Sequence, residues 1–146
     1  MSLRELVKKA NIKAKKGRIL TSNESKRIRS YGHRAERALV KKLRENGFKA
    51  VRIPVSASSS EPLPDVFATK GKCLYAFEVK ATSADKAYFD HVQIEKLFLF
   101  LAMFEAYEKK IAVLACKFPY KWVVKSVSEK NDYVVSAEEK STFIFT

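Results

Sequence analysis

Pro64-Asp65-Val66-Phe67-Ala68-Thr69-Lys70-Gly71-Lys72-Cys73-Leu74-Tyr75-Ala76-Phe77-Glu78-Val79-Lys80 is the stretch that decides the fold. Two apolar runs flank Lys70-Gly71-Lys72, which reads as a tight turn. The spacing predicts a β-hairpin over about 65–69 and 73–81. Side chains alternate across a strand, so Glu78 and Lys80 share a face. Asp65 opens the first strand, and two carboxylates and an ammonium therefore converge at one end of the hairpin. Hard anionic oxygens suit Mg²⁺, and a cation beside them suits an attacked phosphate. The trio points to metal-assisted phosphodiester chemistry.

Working outward, a helix is expected over roughly 30–46, ended by Asn46-Gly47. Leu39, Val40 and Leu43 make its apolar stripe. At about 100° per residue Glu36 falls between Leu43 and Val40 and points inward. An inward carboxylate is costly unless a cation or metal pairs with it. Glu36 is thus either a third acidic group of the hairpin site or half of a Glu–Arg pair at the helix edge. Residues 50–54 read as a strand carrying Arg52, and 55–64 as a Ser-rich loop with Pro62 and Pro64.

Downstream, Asp90-x-x-Gln93 has the pattern of a capping box opening a helix over about 91–107. Its segment Leu97 to Phe104 is apolar on nearly every side, so it needs cover on two faces. Its own sheet supplies one, and a second copy of the chain is the expected other. Strands are expected at 111–118 and 122–127, with short strands in 132–145.

The chain has 146 residues, a size for one domain with a real core, and a net charge of +13. Such an excess favours a polyanionic partner, nucleic acid before a membrane surface, and no lipidation motif supports the membrane. The longest apolar run has eight residues and is too short for a bilayer, and the N-terminus shows no apolar signal core. A cytoplasmic, DNA-associated protein is expected. Cys73 and Cys116 lie in apolar runs and read as buried small hydrophobes of a reducing compartment. Two Cys and two His without close spacing argue against structural zinc. Few amides among many charges lean toward a heat-adapted source. Residues 1–31 hold ten Lys/Arg against two Glu, or +8 of the total. They read as a partly helical basic arm lying along phosphates, or as a solvated tail.

With Glu36, Asp65, Glu78 and Lys80 assembled, the chain resembles the PD-(D/E)xK nuclease superfamily. Within it, the chain resembles archaeal Holliday junction resolving enzymes of the Hjc/Hje type. The resemblance rests on Gly32-x-x-x-Glu36-Arg37-x-Leu39, Gly47-Phe48-x-Ala50-Val51-Arg52-Ile53-Pro54, Pro62 through Gly71, and Glu78-Val79-Lys80-Ala81-Thr82. It spans about residues 32–125, and the arm before Gly32 departs from the family pattern. It implies an α/β fold, a restriction-endonuclease-like mixed central β-sheet flanked by α-helices, in a nuclease domain over 32–146. Asp65 and Glu78 are implied as ligands of Mg²⁺, for which Mn²⁺ can substitute, with the backbone carbonyl of Val79. Glu36 is implied to act on the metal directly or through water. Lys80 is implied to orient the attacking water, and Ser56 to act in cleavage or strand positioning. Arg37 and Arg52 match basic residues near the scissile phosphate, and Arg29, Arg34 and Lys86 are further expected DNA contacts.

The implied function is a homodimeric endonuclease that resolves four-way DNA junctions by paired nicks. The alternatives are another nuclease of the superfamily, of restriction or repair type, a non-catalytic DNA-binding module on the same scaffold, or a basic interaction protein with surface ion pairs.

Overall fold

The computed structural model describes residues 19–54 and 60–146. The chain divides into two units, Met1–Ser30 and Tyr31–Thr146. In the first, the described residues open helix α1 (Ser22–Glu45). Its start lies eight residues before the expected position. Thr21 is the reason: its Oγ1 accepts the Glu24 N–H at 3.1 Å and caps the first turn. Most of the expected arm, residues 1–18, lies outside the described residues.

The second unit is built on a mixed five-stranded sheet in the order β1-β2-β3-β5-β6. Its strands are β1 (Lys49–Arg52), β2 (Val66–Lys70), β3 (Cys73–Ala81), β5 (Lys109–Phe118) and β6 (Lys121–Val127). A second ribbon pairs β4 (Lys86–Phe89) with β7 (Tyr133–Ser136). Helix α2 (His91–Ala102) connects β3 to the parallel strand β5. Ala112 to Cys116 of β5 are buried on both faces, as expected of a central strand in a parallel pair.

Helix α1 ends in a Schellman motif. Phe48 N–H reaches Leu43 O, Gly47 N–H reaches Arg44 O, and Gly47 takes φ 84°, a left-handed value that glycine tolerates. The hairpin forms as expected. Lys70 pairs with Cys73 across a two-residue loop in which Gly71 alone has positive φ, the II′ pattern.

One face of the sheet packs on Ala35, Leu39, Val40 and Leu43 of α1, with Phe143 inserted from the C-terminal segment. The other packs on Ile94, Leu97, Phe100 and Leu101 of α2 and on Ala87, Phe89 and Val135 of the ribbon. This is the expected mixed sheet flanked by helices. Helix α2 stops at Ala102, not 107. Met103 and Phe104 make 3₁₀-type bonds to Phe100 O and Leu101 O, and Phe104 stacks between Phe100 and Tyr107. The apolar pattern therefore continues past the helix as a packed turn. Strand β1 ends at Arg52, short of Pro54, which lacks the ladder N–H. Of the expected tail strands only β7 forms. Cys116 is buried and Cys73 only partly so. Among the described residues no helix is long and apolar enough to cross a membrane.

Candidate active site

Register brings the acidic pair together. Val66 pairs with Phe77, so the next step of the antiparallel ladder sets Asp65 opposite Glu78. Asp65 N–H donates to Phe77 O at 3.0 Å, and Asp65 Oδ2 accepts the Val79 N–H at 2.9 Å. The carboxylate thus takes over where the β2 backbone leaves the ladder. Asp65 is 6% exposed and is the buried charged residue of the described core. Glu78 hydrogen-bonds to it, and burial first, then the Asp65 charge, push the Glu78 carboxyl well above its usual range. The Lys80 ammonium acts in the opposite direction and lies 5.3 Å from the Phe89 ring centroid. Glu78 and Lys80 share the face that also carries Leu74 and Ala76, as strand alternation requires.

Glu36 enters from α1. Its Oε2 accepts the Arg52 Nε–H at 2.5 Å, with side chains 12% and 15% exposed. Both readings of Glu36 meet here. It pairs with an arginine, and its carboxyl is raised by burial and by the charge of Asp65. Three carboxylates, from α1, from β3 and from the residue preceding β2, thus interact, with Arg52, Lys80 and His33 acting against their mutual repulsion. The donor set fits a divalent cation: all oxygens are hard, one carboxylate is fixed by a backbone N–H, and another is held protonation-prone in a cation's absence.

Arg37 is exposed and lines a cavity of about 590 Å³ with Val40, Lys41, Arg44, Glu45 and Arg52. Lys41 and Arg44 were not anticipated, although Arg37, Lys41 and Arg44 follow helical spacing along one face. Arg44 is committed elsewhere, donating from Nε and Nη2 to Ala50 O at 3.1 and 2.9 Å. Arg34 is exposed beside Tyr31, and Lys86 is exposed at the start of β4. Arg29 belongs to the first unit. Ser56 lies outside the described residues, and Val79 is buried with its N–H on Asp65.

Among the described residues, the set whose ligand atoms all lie within 4.8 Å of one another is a different one, Asp90, His91 and Asp132. All three are exposed, and the oxygens of the two aspartates serve the N-terminus of α2. Asp90 Oδ1 accepts the Val92 N–H at 2.7 Å, and Asp132 Oδ1 accepts the His91 N–H at 2.6 Å. A helix N-terminus carries positive potential, which opposes a cation there. The geometry is that of a cap.

Residues 27–144 match the family model for archaeal Holliday junction resolvase (Hjc). The chain is similar to the crossover junction endodeoxyribonuclease Hje of Sulfolobus acidocaldarius, with 44% identity over 110 residues, covering 75% of this chain and 79% of that protein. A crossover junction endodeoxyribonuclease of Sulfolobus islandicus rod-shaped virus 1 is 42% identical over 97 residues, covering 66% of this chain and 80% of that protein. In structure the chain resembles Archaeoglobus fulgidus Hjc, a Holliday junction resolvase, with a TM-score of 0.60 and 33% identity. That match covers 70% of this chain and 85% of that one.

Proposed function

The chain belongs to the archaeal Holliday junction resolvase family, and from that premise we infer that it is an endodeoxyribonuclease that cuts four-way DNA junctions. The family implies a divalent metal, and we assign Mg²⁺ as its natural ion, replaceable by Mn²⁺. The observation that supports this most is the hydrogen-bonded Asp65–Glu78 pair, with Glu36 and Lys80 acting on the same charges.

Asp65 and Glu78 would hold the ion, with the Val79 carbonyl completing the shell and Glu36 acting directly or through water. The bound metal would supply Lewis-acid stabilisation of charge on the attacked phosphate and the leaving oxygen. The chain's own residues do the rest. Val79 N–H fixes the Asp65 carboxylate. Burial and the Asp65 charge hold the Glu78 carboxyl well above its usual range, and a cation at the site would favour its charged form. Lys80, on the face of Glu78, orients the attacking water and balances phosphate charge. Arg52 is held by Glu36 until a phosphate competes for its remaining donors, and Arg37 lies beside it on the same cavity. Ser56 is assigned to strand positioning.

Arg29, Arg34 and Lys86 are read as outer phosphate contacts. The basic stretch 1–31 is read as an arm along the backbone, joined to a nuclease domain over 32–146. The enzyme acts as a homodimer through α2, and a DNA substrate implies an intracellular place of action.

The decisive experiment compares cleavage of a four-way junction, a linear duplex, a flap and a single strand with purified chain and Mg²⁺. Selective cutting of the junction is expected, with loss in chelator and in Asp65→Asn, Glu78→Gln, Glu36→Gln and Lys80→Ala. Equal cutting of all four DNAs would reassign the chain to general nuclease work. Removing residues 1–29 should flatten the salt dependence of binding, by a log–log slope of roughly 0.9 per lost phosphate contact. An unchanged slope would reduce the arm to a solvated tail.

A further inference from the structure

We propose that a pocket lined by Tyr31, Arg34, Ala35, Ala38, Lys117 and Trp122 receives one unstacked base of the DNA substrate. The inference rests on the junction-cutting reading and adds a specificity site to it. The pocket lies on the α1 side of the sheet, the face opposite Glu78 and Lys80, and shares helix α1 with Glu36. Ala35 immediately precedes Glu36 in α1, and Lys117 pairs across the sheet with Ala81, which follows Lys80 in β3.

Its chemistry is aromatic with a cationic rim. Trp122 packs against the core cluster on one side while staying partly exposed. Tyr31 is also partly exposed, and the Arg34 guanidinium carbon lies 5.9 Å from its ring centroid. Lys117 pairs with Trp122 across β5 and β6, and its Nζ donates to Phe118 O at 3.0 Å. Aromatic faces accept any base, because every base has a π-face, while Arg and Lys balance the attached phosphate. The volume is about 200 Å³. That is below the roughly 300–1,000 Å³ of sites for drug-sized ligands, so a single ring system is what fits.

The pocket would favour a branched substrate on energetic grounds. In continuous duplex a base must be unpaired and unstacked before it can enter, whereas an already unstacked base enters at less cost. A strand exchange point interrupts the continuous stack, so a base beside it has less stacking to lose on entering the pocket than one within linear duplex. The pocket would then contribute to selection by shape without reading sequence. A purely structural role for Tyr31 and Trp122, as cover for the core, makes the opposite prediction on binding.

Trp122 is the chain's single tryptophan and reports on the pocket directly. The full chain, kept in chelator so that nothing is cut, is titrated with a labelled four-way junction and with a linear duplex of the same arm sequence. DNA anisotropy follows binding, and tryptophan emission follows the pocket. Emission should be quenched by the junction and not by duplex at equal occupancy. Trp122→Leu and Tyr31→Ala should each weaken junction binding about tenfold, within the roughly 5- to 150-fold expected for base–aromatic stacking. Trp122→Phe should restore most of it, and duplex binding should hold within about twofold throughout. Junction binding with unchanged emission in the wild-type chain would overturn the pocket, whether or not the variants fold. So would a folded Trp122→Leu protein that binds the junction normally. An absence of junction preference in the anisotropy alone would instead overturn the junction-cutting reading beneath it.

Discussion

Glu78 bears the main electrostatic cost of the site, because burial and then the Asp65 charge hold its carboxyl well above the ordinary range. The sign of the stability effect follows. A carboxyl raised in the folded state costs nothing below its unfolded pKa near 4.5, and the cost grows as pH rises through the folded value. Glu78→Gln keeps the shape and a hydrogen bond to Asp65 while removing the charge. In chelator near neutral pH the variant should therefore unfold a few degrees higher than wild type, roughly what 1 kcal/mol does in a domain of this length. The gap should close as pH falls to about 4.5, and added Mg²⁺ should raise the melting temperature of wild type alone. Thermal unfolding across that pH range checks it, and coincident neutral-pH curves would remove Glu78 from the charged site. Asp65, Glu78 and Lys80 were legible in the sequence for a physical reason: alternation and a two-residue loop fix which residues face each other. Glu36–Arg52 stood only as one of two readings, because sequence periodicity gives a direction on a helix but not the strand end that meets it. Tyr31, Lys117 and Trp122 left no signal, since strand pairing brings Lys117 and Trp122 beside a helix far away in sequence.

At the scale of elements, boundaries failed where local caps competed with longer patterns. Thr21-x-x-Glu24 is a helix-start signature, but the surrounding run of positive charge drew the reading toward an arm. Strand β4 escaped because it has four residues and finds its partner β7 more than forty residues later. Helix α2, by contrast, was announced by its capping box, which forms as Asp90-x-x-Gln93 requires. The structure adds a second cap from a distance: Asp132 accepts the His91 N–H and lies 3.0 Å from His91 Nδ1. Hydrogen bonding to Asp132 raises the His91 pKa, and the His91 backbone and ring lower that of Asp132. The clamp is complete above the unfolded Asp value near 3.8 and below the unfolded His value near 6.5. It weakens as pH falls through the folded Asp132 value or rises through the folded His91 value. An NMR titration of the His91 ring should give a midpoint above 6.5 in wild type, falling back toward it in Asp132→Asn. A midpoint that does not move on that substitution would dissolve the clamp.

For the whole molecule, a +13 chain carries a cluster of three carboxylates, so its field draws a polyanion toward a site that would itself repel one. The sequence announced that field plainly, whereas the homodimer proposed through α2 rests on an apolar face. Helix α2 buries Ile94, Leu97, Phe100 and Leu101 against the sheet, while its residues Val92 and Leu99 and its C-cap Met103 stand at 50%, 47% and 60% exposure. Those three fall at i, i+7 and i+11, one stripe on the outer face. Covering a half-exposed side chain of this size gains on the order of 1 kcal/mol. Six of them across a two-fold axis gain on the order of 6 kcal/mol, against roughly 4–15 kcal/mol for association. An interface so nearly balanced should not survive one buried charge at its centre. Leu99→Glu should therefore sediment as a monomer while keeping its fold, since Leu99 adds nothing to the buried cluster. Its effect on cutting should be specific. Two sites related by a two-fold axis can incise both strands of one bound junction, whereas a monomer makes one nick and leaves. Singly nicked junctions should then accumulate in the variant and not in wild type. A Leu99→Glu protein that stays dimeric would move the interface off α2, and a monomer that still makes paired nicks would separate cutting from dimerisation altogether.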